Sequence, residues 1–158
     1  METLQIITPI LLTIGQTLGV GASTFALLFY IMATQDGVID SSEKRFMRAV
    51  YVVLRIGMVI IATALVLKYL AGTATTPIYL MQLTLLGIIT LNAFLMSKRL
   101  ISMRIGPVLA GGSWYSLFLI STLPLNNVSL GKIFIGYCIF LVFFYASFSF
   151  IKSFTSKQ

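Results

Sequence analysis

From Gln5 to Ala33 the chain runs through 29 residues without a single charged side chain. As a helix this run exceeds the roughly 20 residues needed to cross a bilayer. Lipid offers no partner to a bare backbone N–H or C=O, so a helix that satisfies its own backbone is the conformation open to it. Four further apolar runs follow. The reading is an all-α membrane protein, a five-transmembrane-helix bundle forming one domain over residues 1–158. Its spans are expected at residues 5–33, 46–69, 78–97, 106–123 and 133–151. Only 9% of residues are charged and mean hydropathy is +1.00. Soluble domains carry about a quarter charged residues, so this chain could not cover a water-facing surface. Glu2 stands where a signal peptide would carry bases, and the first apolar run is too long for one, so it reads as a retained helix.

The polar breaks fix the threading. Thr34–Arg48 holds Asp36, Asp40 and Glu43, three of the four acidic residues, with Lys44, Arg45 and Arg48. The break after the third run holds Lys98, Arg99 and Arg104, and the tail holds Lys152 and Lys157. With five passes these eight bases share one side, against Lys68 and Lys132 on the other. Positive charge gathers in the cytoplasm, so the N-terminus is expected outside and the C-terminus inside. The net charge of +7 would suggest nucleic acid in a soluble protein. Here the bases flank apolar runs, so the bilayer and its anionic lipid headgroups are the expected partners, and nucleic acid is not.

Within the spans, Arg55 is the lead. An ionised arginine inside a membrane helix costs about 2.5 kcal/mol or more, so something must offset it. By depth it falls near Asn92 of the third span and Ser23 and Thr24 of the first, with Tyr51 one turn before it. These five residues are the candidate polar cavity. The alternative is a long side chain snorkelling to headgroups or to Asp36, Asp40 or Glu43. Gly15, Gly19 and Ser23 recur every four residues, and Gly111 and Gly112 are adjacent; both sets suit close helix packing. Gln16, Thr13, Thr17 and Thr24 are expected to need partners inside the bundle. Asp36-Gly37-Val38-Ile39-Asp40-Ser41-Ser42-Glu43 matches the second half of an EF-hand loop, but Met32 stands where the first carboxylate belongs. A turn followed by a capped helix is the plainer reading.

The exclusions are broad. Histidine is absent, which removes ordinary haem ligation, Ser-His pairs and HExxH zinc sites. The single cysteine, Cys138, allows no internal disulfide. No acidic residue lies inside a span to carry protons. No enzyme activity, metal or cofactor is expected.

Two stretches carry a resemblance: Leu18-Gly19-Val20-Gly21-Ala22-Ser23-Thr24-Phe25 with Asp36–Asp40 and Leu54-Arg55-Ile56-Gly57, and Ile105-Gly106-Pro107 leading to Ser113-Trp114-Tyr115. Together they resemble small multi-pass membrane proteins of bacterial genomes, particularly the reduced candidate lineages. The likeness touches about half the chain and implies a prokaryotic plasma-membrane location, but no activity. Three functions follow as expectations. The first is a small channel or transporter-like protein with its cavity at Arg55. The second is a structural or accessory subunit using the Gly15/Gly19 face against a second copy or a partner membrane protein. The third is a protein that binds anionic lipid.

Overall fold

The computed structural model describes residues 2–36, 41–72, 76–98, 100–101, 105–125 and 128–155, without the side chains of 2, 33–36, 43, 44, 152, 154 and 155. Among the described residues five helices form: α1 (Glu2–Asp36), α2 (Ser41–Leu70), α3 (Pro77–Ser97), α4 (Gly106–Thr122) and α5 (Leu130–Thr155). Local chemistry sets their ends. Gly72, at φ 76°, takes the left-handed conformation just past α2, and its N–H bonds the Tyr69 carbonyl. Thr76 caps α3, its side chain accepting the Tyr79 N–H at 3.2 Å, with Pro77 in the first turn. Pro107 opens α4 in the same way. Pro9 lies two turns into α1, which begins at Glu2. The Gln5 carbonyl therefore loses its usual amide donor.

α1, α2, α3 and α5 are each long and apolar enough to cross a membrane. α4 is shorter, at 17 residues, or about 25 Å at 1.5 Å per residue. It is also the central helix, packed against α1, α3 and α5, while α2 lies mainly on α1. Its buried residues, from Gly106 and Val108 through Trp114 to Ile120, run around most of its circumference. A helix apolar on all sides belongs inside other helices.

Among lipid-soluble surfaces, close packing rather than escape from water draws helices together. Small residues therefore matter most here. A Cβ on Gly15 would press on Ile61 and on the Gly57 carbonyl of α2, so the α1 and α2 backbones cross closely there. The Trp114 ring fills the notch beside that crossing: a Cβ on Gly19 would overlap it, and one on Gly57 would touch it. Gly111 receives Leu27, and Gly112 receives Leu141 and Phe144. Around Trp114 the core is filled by Ile61, Leu65, Met81, Leu85 and Leu117. A smaller cluster of Leu27, Val108 and Phe148 closes the far end. Outside, Val59, Val142 and Phe143 stand 65, 72 and 70% exposed, a surface suited to lipid.

The threonines depart from expectation. Thr13 and Thr17 are exposed and return their hydroxyls to the Pro9 and Thr13 carbonyls of their own helix. A hydroxyl that can reach its own backbone needs no partner across the bundle. Gln16 and Thr24 do find partners inside.

Candidate functional site

The buried side of α2 carries Val50, Gly57, Ile61, Ala64 and Leu65. At 3.6 residues per turn, Arg55 lies roughly 120–160° around the helix from Val50, Gly57 and Ile61. Arg55 is accordingly exposed, as are Arg48, Tyr51 and Val52 around it. The expected polar cavity around Arg55 is not assembled. Ser23 is buried and bonds the Val20 carbonyl at 2.9 Å. Thr24 bonds the same carbonyl and meets the Tyr115 hydroxyl at 2.7 Å. Asn92 donates to the Gly106 carbonyl at 2.9 Å, joining α3 to the start of α4. Depth put these residues together; rotation about the α2 axis separates Arg55 and Tyr51 from the rest.

The Gly15, Gly19 and Ser23 face is buried within the chain against α2 and α4. It is therefore not a free surface for another protein. Of the basic rim, Arg45, Arg48 and Lys98 are exposed. The Lys44 side chain, Arg99 and Arg104 lie outside the described residues, as do Asp40 and the side chains of Asp36 and Glu43, the carboxylates of the half EF-hand. Among the described residues no His, Cys, Asp and Glu group could hold a metal.

A polar site forms elsewhere, where α2 ends, α3 begins and α4 ends. Ser121 of α4 is its hub. Its Oγ accepts Gln16 Nε2 of α1 at 2.5 Å and Gln82 Nε2 of α3 at 2.8 Å, and donates to the Leu117 carbonyl at 2.9 Å. That uses a hydroxyl's one proton and both lone pairs. Gln16 Nε2 also reaches the Leu117 carbonyl at 3.3 Å. Gln82 Oε1 then accepts Lys68 Nζ of α2 at 3.3 Å. Gln16 and Gln82 are 2 and 1% exposed, so this is a desolvated network tying four helices. Its chemistry is that of a clamp rather than a nucleophile: the Ser121 proton is held by a carbonyl, and among the described residues no base bonds to it.

Lys68 leads from the clamp to the surface. It lines a cleft of about 220 Å³ with Leu4, Gln5, Thr8, Pro9 and Ala71. The Thr8 hydroxyl donates to the Leu4 carbonyl at 2.6 Å and keeps its lone pairs toward other donors. The two buried glutamines were visible in the sequence as amides in apolar runs. Ser121, an ordinary serine near a helix end, carried no such signal. Two other depressions, of about 650 Å³ along α3 at Gly87 and about 350 Å³ between α1 and α2 at Gly21, are lined almost wholly by apolar side chains.

Comparison with protein-family models, with curated proteins and with solved structures finds no match to this chain.

Proposed function

We propose that the chain is a five-span membrane protein, N-terminus outside and C-terminus inside, that binds anionic lipid. In this reading the central α4 also crosses, as the fourth span, its 17 residues falling at the short end of what crosses a bilayer. The charge distribution supports the orientation. Lys68 then lies at the outer end of the bundle. The observation that carries the binding function is its position: a cation tethered to the buried Gln82 at the mouth of a cleft with apolar walls. That combination suits the phosphate of a lipid headgroup, with Leu4, Pro9 and Ala71 beside the first carbons of the acyl chains.

The filled core argues against conduction through a single copy. Ile61, Met81, Leu85 and Leu117 are fully buried at its centre, and the polar groups are spent on one another. An accessory role through the Gly15/Gly19 face is disfavoured because that face is occupied within the chain. The test is native mass spectrometry of protein released from nanodiscs of mixed phosphatidylglycerol and phosphatidylcholine. The wild type retains phosphatidylglycerol preferentially; Lys68→Gln, which keeps a donor for Gln82 but loses the charge, retains about tenfold less at this site, as expected for one lost charge-assisted contact. Equal retention by both proteins would end this reading.

A further inference from the structure

Arg55 poses a second question, independent of Lys68. Arg48 and Lys68 are 20 residues apart on α2, about 30 Å and so one hydrocarbon thickness. Arg55 is seven residues inside Arg48, roughly 10 Å into that layer. It is exposed, on the face turned from the bundle. Among the described residues none bonds or pairs with its guanidinium. By the helix backbone, positions 43 and 36 lie far along the axes from Arg55. Glu43 precedes Arg55 by twelve residues, about 18 Å of axis. Gly15 lies on Gly57, and the Phe29 ring meets Phe46 at 5.7 Å. That register sets Arg55 level with residues 19–20 of α1, some 24 Å of axis from Asp36.

We propose that Arg48, Tyr51 and Arg55 form a binding site on the lipid-facing surface of α2 for the phosphate of an anionic phospholipid, in the leaflet beside the α2 N-terminus. The three residues follow at spacings of three and four, so they lie along one side of the helix. Side chains on a helix lean toward its N-terminus, which here is the direction of the headgroups. The Arg55 stem therefore runs outward, leaving its guanidinium within roughly one turn of Arg48. Tyr51, 42% exposed, stands between them with a hydroxyl to donate. Two guanidiniums and a phenol suit a phosphate drawn slightly below its neighbours, since arginine binds phosphate oxygens two at a time. The same lean favours a headgroup over an acidic residue on a partner helix, which would have to lie in the hydrocarbon alongside Arg55.

The site lies in the opposite leaflet from Lys68, so the two can be tested apart. The experiment titrates phosphatidylglycerol into wild-type, Arg55→Gln, Arg48→Gln and Lys68→Gln protein in phosphatidylcholine nanodiscs, counting bound lipids by native mass spectrometry. Inorganic phosphate is titrated in parallel. Arg55→Gln and Arg48→Gln are expected each to weaken one phosphatidylglycerol site about tenfold or more, leaving the Lys68-dependent site in place and binding no free phosphate. Arg55→Gln removes an intramembrane charge from an exposed face, so its thermal stability stays at or above wild type. Unchanged phosphatidylglycerol binding in Arg55→Gln would overturn the proposal. So would loss of an oligomer or of a cross-linked partner with that variant while lipid binding persists, since Arg55 would then pair with protein.

Discussion

Gly19→Ala is the sharpest test of the packing that organises this bundle. The added Cβ would stand 2.6 Å from Trp114 Cδ2, with two further ring atoms nearer still. Carbon atoms rest at 3.5–4.0 Å, so the ring would have to retreat by about 1.5 Å or more. It has little room. Trp114 is 1% exposed, and its far edge lies 3.5 Å from where a Gly57 Cβ would be. Overpacking of this kind costs about 1–3 kcal/mol, and alanine in place of helical glycine returns up to about 1 kcal/mol. The net expectation is a loss of about 1–2 kcal/mol, read as unfolding free energy in SDS-containing mixed micelles. Gly21→Ala is the control: nothing lies within 4 Å of its Cβ, so it is expected neutral or slightly stabilising. In a Trp114→Ala background the ring is gone and the Gly19→Ala penalty should vanish, a coupling of about 1 kcal/mol or more between the two sites. Equal effects of Gly19→Ala and Gly21→Ala would refute the placement of Trp114 in the α1–α2 notch.

Two other outcomes follow from the same structure. Ser121→Ala leaves the buried Gln82 amide without its acceptor, a cost of about 1–3 kcal/mol, and it should also lower the phosphatidylglycerol retention that depends on Lys68; stability unchanged within 0.5 kcal/mol, roughly the range of an inert surface substitution, would contradict the clamp. Cys138 is exposed on α5 eight residues past its start, about 12 Å along the helix. It is expected to resist a charged, membrane-impermeant maleimide in nanodiscs and to react once SDS unfolds the protein; ready labelling in the intact disc would show that this face meets water.

The helices were legible because lipid makes them so. α3 and α4 lie within one residue of their expected bounds, where Pro77 and Gly106-Pro107 mark the starts and Lys98 the first stop. The ends of α1 and α5 were less legible. Glu2 and Thr155 can continue a helix beyond the apolar layer, so hydropathy underestimates both. Depth along the helices was the guide to the site, and rotation about them was not legible. In a soluble helix the polar face identifies the outside, but in lipid both faces are apolar, and α2 offers no stripe to orient Arg55. What orients it is Gly57, whose lack of a side chain brings α1 and Trp114 onto that side. Gln16 was visible as an amide that needed a partner; that it and Gln82 would both meet on Ser121 depended on how α4 threads between α1 and α3.

The claim that this bundle holds anionic lipid and does not conduct is tested most directly in one preparation. The protein is purified from a membrane containing phosphatidylglycerol, its bound lipid is identified, and the same sample is reconstituted for ion flux. The account predicts phosphatidylglycerol retained through detergent washing, diminished by Lys68→Gln and by Arg55→Gln, and flux no greater than in protein-free vesicles. Flux that depends on the protein, with no anionic lipid retained, would contradict it.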